Sequence, residues 1–430
     1  MLKSKALVPI GVLILAAIPC AVQAATLKVI FSGGMQQSAS RMVAEFQKSS
    51  RSTRIEPILI AEGLDFAQAV EKKPDIYLGF FNEMSNYADN GLFEDVAKLV
   101  PAKTLRDFPA GFSDAFAVGK RLLGIPIAGY TTALYYNTGM FKAAGLATPS
   151  GSWTWEGAFY AACRKLTRGS ANGTSTTYGV TGLTCNQFGQ PGTPNPSFLS
   201  TIYSYGGSIA NKQFTKQMYT EKPAMDAIKF ILKLHSDKVA DITDYPYDQG
   251  DAAGWPFWNG KAGMMLATGP GRANKPPFNF GSAPWAKGKE PKFVTGISVI
   301  PKGPKGTIVA NMTQVASVMV TSKSSKEAGD FLKFLATAKG QEAIFDATGA
   351  LPTTRAGFDV KSISKGVPAP IYKAYQSGRA WSARKGYINV EFSMWMPMMG
   401  IAKGESTMAD LLEVAKTQVP EIFANSTYSF

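Results

Sequence analysis

Leu123-Gly-Ile-Pro-Ile-Ala-Gly129 leads through Tyr130 and Thr131 into Thr132-Ala-Leu-Tyr-Tyr-Asn137, a β-branched and aromatic run. Such a composition predicts a strand. No obvious pairing partner lies close by in the sequence, so the segment is expected to bridge two lobes rather than close a local hairpin.

Upstream of it the chain alternates strand, turn and helix. Thr26-Leu-Lys-Val-Ile-Phe31 is β-rich, Ser32-Gly-Gly34 breaks it, and Met42, Val43 and Phe46 then fall on one face of an amphipathic helix. The pattern repeats at Arg54 to Ile60 before a helix near Phe66, and at Asp75-Ile-Tyr-Leu-Gly79 before one near Met84 to Asn90. This βα alternation implies a parallel sheet covered by helices, with ligand positions in the loops beyond the strands' carboxyl ends. Downstream, helices are expected at Thr154 to Leu166 with Thr154 as cap, at Ser197 to Tyr205 and at Lys222 to Ser236. A Gly-, Ser-, Thr- and Pro-rich loop is expected from Gly169 to Pro196. Ala262 to Ala267 and Phe293 to Ile300 suggest a second sheet, Val315 to Val320 a further strand, and the chain from Tyr387 onward a helical tail.

The chain has 430 residues, 45% hydrophobic and 18% charged. That is enough to bury substantial cores and to form two or more lobes. Met1-Leu-Lys-Ser-Lys5, an apolar run from Ala6 to Ala21 broken by Pro9, Gly11 and Pro19, and Val22-Gln-Ala24 together describe a secretory signal peptide cleaved after Ala24. The run is too short and interrupted for the ~20 residues of a membrane span, so a soluble mature protein is expected. Leader removal leaves Cys163 and Cys185, an even pair bound for an oxidising compartment, and a disulfide between them is expected.

The formal charge is +14, and loss of Lys3 and Lys5 with the leader lowers it to +12. The basic residues are scattered singly, which argues against nucleic acid and leaves either an anionic ligand or a generally basic secreted protein. His235 is the only histidine, and no Cys-x-x-Cys or His-x-x-x-His spacing occurs, so neither a metal nor a cofactor is expected. His235 itself reads as a packing or surface residue of a helix. One histidine cannot complete a Ser-His-Asp set, no Gly-x-Ser-x-Gly elbow is present, and the phosphate-cradling glycine patterns are missing. A secreted glycosidase needs only two facing carboxylates, which spacing leaves open.

In order along the chain stand Pro74-Asp-Ile-Tyr77 leading to Asn90-Gly-Leu-Phe93, Ile125-Pro-Ile-Ala128 to Leu134-Tyr-Tyr-Asn137 with Phe141-Lys-Ala-Ala-Gly145, and Trp153-Thr-Trp-Glu-Gly157. Phe257-x-x-Gly-Lys-Ala-Gly-Met264, Gly269-Pro-Gly271, Ala328-Gly-Asp-Phe-Leu-Lys-Phe334 and Gly349-Ala-Leu-Pro-Thr353 follow. With the leader, these segments resemble the sugar-type solute-binding proteins of bacterial ABC importers, extracellular solute-binding protein family 1. The resemblance covers nearly the whole mature chain. It implies an α/β, two-lobed, type II-like periplasmic-binding-protein fold, each lobe a sheet flanked by helices, closing on ligand at a hinge. The expected lobes are residues 25–132 with 309–359, and residues 133–307 with 360–430. It further implies a periplasmic monomer that delivers a small carbohydrate to membrane permease subunits, without chemistry on the ligand.

The resemblance also puts named residues at the cleft. The turn after the first strand gives Met35 and Gln36, and the loop after Gly79 gives Phe81 and Asn82, an aromatic ring and an amide suited to a sugar's C–H face and hydroxyls. Tyr130 stands at the lobe junction and Asn195 before the Ser197 helix. Where many relatives carry a stacking tryptophan, this chain has Gly271 and Arg272. Arg272 offers a fork for a uronate, sugar phosphate or sulfonate. Trp285 and Trp381 are candidates for the missing ring, and Glu391 or Trp395 would be presented by the Tyr387 helix. Tyr135 and Tyr136 invite comparison with ferric-ion binders, but neighbours on a strand face opposite ways and cannot grip one ion. Phe257 is expected to plug the core.

Overall fold

The structure is a computed structural model. It describes residues 24–425 apart from 33–34, 37–38, 51, 61–65, 82–83, 85–90, 170–174, 183–195, 242–255, 258, 270, 272–291, 324 and 383. The first block contains β1 (Ala25–Phe31), α1 (Ala39–Ser49), β2 (Thr53–Leu59), α2 (Phe66–Glu71), β3 (Ile76–Phe80), α3 (Ala102–Leu105), α4 (Ala110–Ser113) and a small ribbon of β4 (Ala117–Val118) and β5 (Arg121–Leu122). Next come β6 (Ile125–Asn137), α5 (Thr138–Ala143), α6 (Tyr160–Leu166), β7 (Arg168–Gly169), β8 (Ser175–Thr181), α7 (Pro196–Tyr205), α8 (Lys222–Ser236), β9 (Ala262–Gly269) and β10 (Thr295–Ser298). The chain continues through β11 (Ala310–Val318), α9 (Ser325–Leu335), α10 (Ala338–Thr348), α11 (Arg355–Phe358), α12 (Lys361–Ser364), α13 (Ala369–Ser377), β12 (Arg379–Ala380), α14 (Tyr387–Lys403) and α15 (Met408–Ala424).

β1 lies between β2 and β3, parallel to both. Its Leu27, Val29, Ile30 and Phe31 are all buried, as expected of a strand covered on both faces. β2 is the edge, alternates buried with exposed residues and tolerates Pro57. Met42 and Phe46 fix α1 to the block, with the Phe46 ring edge-on to Phe331 at 4.8 Å and to Phe334 at 5.4 Å.

β6 changes partners along its length. Its first half, Ile125 to Thr131, pairs with β11, which in turn pairs with β3. Its second half pairs with β9 over Thr131 to Tyr136 and with β10 over Leu134 to Asn137. Thr131 therefore has neighbours in both halves, Asn311 on β11 and Gly269 on β9. Hydroxyls tie this crossing: Ser200 Oγ donates to Thr132 Oγ1 at 3.0 Å, Thr132 Oγ1 donates to the Ala310 carbonyl at 3.0 Å, and the Ala310 N–H donates to Ser200 Oγ at 2.8 Å.

Three expectations are corrected. β9 and β10 do not build a separate sheet; they flank β6 and extend the first one, because β6 is long enough to carry both sets of neighbours. The expected loop from Gly169 to Pro196 contains β8, which pairs in parallel with β9. Thr154 makes no side-chain cap; a wider turn spans Trp155–Phe159, with non-helical backbone at Gly157, before α6 begins.

Cys163 is fully buried inside α6, where β8 crosses so closely that a Cβ on Gly179 would overlap the Cys163 backbone. Burial pushes its thiol pKa up, away from the reactive thiolate. Cys185 lies outside the described residues. His235 is buried on α8, and Phe257 is fully buried with its ring edge-on to Phe293 at 5.3 Å. α14 and α15 pack on each other, and α14 also packs on α8. No helix among the described residues is long and apolar enough to cross a membrane.

Candidate ligand-binding site

Phe81 follows the end of β3, where Phe80 pairs with Gln314 of β11. Trp381 follows β12, which pairs with the start of β11, and the Trp381 N–H bonds the Asn311 carbonyl at 2.9 Å. Since β3 and β11 run antiparallel, both aromatic residues arrive at the same end of the sheet. Their ring centroids stand 4.8 Å apart at 37°. The Trp381 indole Nε1 donates to Glu391 Oε2 of α14 at 2.9 Å.

All three side chains are buried, Glu391 completely. Burial raises the Glu391 carboxyl well above the usual carboxylate range, partly opposed by the indole hydrogen bond. Burial therefore disfavours its charged form. Alongside, the Tyr203 and Tyr387 hydroxyls share a hydrogen bond of 3.0 Å, and the Arg379 guanidinium sits 4.9 Å from the Tyr203 ring centroid. Burial raises both phenols, Tyr387 most clearly. The arrangement offers apolar ring faces beside hydrogen-bonding groups.

The structure thus brings together two of the expected residues, Phe81 and Glu391, through Trp381. Met35 is fully buried after β1, and Gln36 is half-buried. Tyr130 sits on β6 opposite Met312, nearly buried, its hydroxyl engaged with Thr348 and its pKa raised by burial. Gly271, at φ 68°, lies so close to the crossing that an added Cβ would stand 3.2 Å from Ile371 and 3.5 Å from Thr131. Asn82, Asn195, Arg272 and Trp285 lie outside the described residues. Tyr203, Tyr387 and Arg379 were not singled out from the sequence as site residues. Nothing local marks them, because only the packing of α7, β12 and α14 puts them together.

The family model of the bacterial extracellular solute-binding protein matches residues 43–342. A binding protein of Brucella abortus is 26% identical over 233 residues, covering 54% of this chain and 51% of that protein. The chain thus spans about half the length of the curated relatives it matches. Among solved structures, the cyclic alpha-maltosyl-1,6-maltose binding protein of Arthrobacter globiformis superposes with a TM-score of 0.75 at 19% identity, over 94% of this chain and 100% of that one. The sugar-binding protein MalE of Xanthomonas citri superposes with a TM-score of 0.72 at 17% identity, over 93% of this chain and 98% of that one. These superpositions bear out the two-lobed periplasmic-binding-protein fold expected from the sequence. With the family model matched across most of its length, the chain belongs to the bacterial extracellular solute-binding proteins.

Proposed function

We propose that the chain captures a small carbohydrate and delivers it to the membrane permease of an ABC importer. The glycosidase alternative gives way to the family, whose members bind solutes. The observation that carries the ligand class is the contact of Phe81, Trp381 and Glu391, which joins two rings and a buried acid from three distant segments. Sugars present apolar C–H faces and hydroxyls, which such rings and hydrogen-bonding groups complement. The names of the Arthrobacter globiformis and Xanthomonas citri proteins support the same class.

The proposed contact set is Met35, Gln36, Phe81, Asn82, Tyr130, Asn195, Gly271, Arg272, Trp285 and Glu391, with Trp381 as the ring between Phe81 and Glu391. Residues 25–132 with 309–359 would form one lobe and residues 133–307 with 360–430 the other, closing about β6 and β11. Release of a monomer into the periplasm by cleavage after Ala24 belongs to the same reading.

A second reading, an acidic sugar derivative held by Arg272, is favoured by the formal charge of +14 and by the closeness of Gly271 to the crossing strand. Calorimetric titration with glucose, galactose, maltose, maltotriose, glucuronate and glucose 6-phosphate separates the two. Heat from neutral sugars supports the first. Tighter binding of the acidic ligands, abolished by Arg272→Ala, supports the second. Silence across the panel overturns the carbohydrate assignment.

A further inference from the structure

Glu391 and Trp395 stand four residues apart on α14, so their side chains share one helix face. Both are buried, Glu391 at 0% and Trp395 at 5% exposure. The Trp381 indole occupies Glu391 Oε2, but Glu391 Oε1 has no hydrogen-bond partner in the protein, and neither has Trp395 Nε1. The rest of the buried face is largely apolar, with Val390, Met394 and Met398. A buried polar atom without a partner loses its hydration and gains nothing in return. Here two such atoms belong to residues one helical turn apart on the same buried face, and their chemistry is complementary.

Indole Nε1–H can only donate, whereas a carboxyl oxygen can accept. A group that satisfies both must accept one hydrogen bond and donate another. A hydroxyl does this; a carboxylate or phosphate only accepts, and an ammonium only donates. We propose that Glu391 and Trp395 form a hydroxyl-reading pair: one ligand hydroxyl accepts from Trp395 Nε1 and donates to Glu391 Oε1, beside the Phe81 and Trp381 rings. This rests on the carbohydrate reading and deepens it, because the pair names a hydroxyl, which can accept and donate at once, as the ligand group at that one position.

The test takes the sugar that binds best among glucose, galactose, maltose and maltotriose and titrates it, together with its monodeoxy analogues, into wild type and Trp395→Phe. Trp395→Phe is expected to weaken the parent sugar about tenfold, the worth of one hydrogen bond of ~1.4 kcal/mol. One deoxy analogue is expected to bind wild type about tenfold or more below the parent sugar, yet to lose clearly less than that in the variant, where only the bond to Glu391 is left to lose. The ligand-free variant loses packing volume but no hydrogen bond within the protein, so it should still fold, with a modest drop in melting temperature. Should Trp395→Phe fail to fold, Glu391→Gln carries the same cycle and should single out the same deoxy position. Unchanged affinity in the variant, or equal losses at every deoxy position in both proteins, overturns the pairing alone. Absence of binding by all four sugars overturns the carbohydrate reading itself, and the pairing with it.

Discussion

Tyr375 of α13 lies directly across from Gly129 of β6. Its hydroxyl donates to the Pro352 carbonyl at 2.7 Å, and a Cβ on Gly129 would overlap that hydroxyl and the ring edge. The glycine is there for close approach, in the strand that carries both halves of the sheet. Gly129→Ala should cost about 1–3 kcal/mol by forcing Tyr375 out of its seat. Tyr375→Phe removes only the hydrogen bond and should cost about 1 kcal/mol. Equilibrium denaturation of the two variants checks the order, and a neutral Gly129→Ala would refute the packing account.

Thr132, Ser200 and the Ala310 backbone form a buried relay in which every hydroxyl both donates and accepts. Thr132→Val keeps the shape and deletes the oxygen, leaving Ser200 Oγ and the Ala310 carbonyl each short of a partner. The expected loss is about 1–3 kcal/mol. Ser200→Ala should lose a similar amount, and the double variant clearly less than the sum, because the two hydroxyls serve one network. Strict additivity in a double-mutant cycle would contradict the relay.

Burial lowers the pKa of His235 from 6.5 to about 4. An unfolded chain takes up its proton near pH 6.5 while the folded chain refuses it until about pH 4, so in this window the unfolded state binds more protons. Stability contributed by the neutral ring is complete above pH 6.5 and is lost as pH falls toward 4, by roughly 3 kcal/mol. In His235→Gln the melting temperature should fall less steeply with acid than in wild type. Parallel acid limbs would show that the ring is protonated without penalty.

Glu391 has the opposite sign. Its folded pKa is raised above the unfolded carboxyl value. As pH climbs past the unfolded value, the unfolded chain sheds the proton that the folded chain retains, so stability declines from about pH 4.5 upward. Glu391→Gln places a neutral isostere against Trp381. Its melting temperature relative to wild type should rise as pH climbs above about 4.5. A constant difference across that range would mean that Glu391 titrates alike in both states.

The strands and helices of the first block could be read from sequence because each is a short run with a clear period, as in Leu27, Val29 and Phe31 or in Met42 and Phe46. β8 escaped because Ser175-Thr-Thr-Tyr-Gly-Val-Thr181 sits in a glycine- and serine-rich stretch, although its β-branched and aromatic residues carried the signal. The single continuous sheet escaped for another reason. Its decisive pairings, β6 with β9 and with β11, join distant segments, and period says nothing about partners. The contact of Phe81, Trp381 and Glu391 joins three residues that the resemblance had each put forward separately. Tyr203 against Tyr387 was not put forward, since that contact follows from how α7 meets α14.

β3 acquires its second neighbour only from β11, so Phe80 must wait for Gln314. A chain growing from its amino terminus therefore carries an open strand edge through most of its synthesis, and the first half cannot lock until the later segment returns to it. β11, which seats itself between β3 and β6, is thus the strand whose arrival completes this part of the sheet.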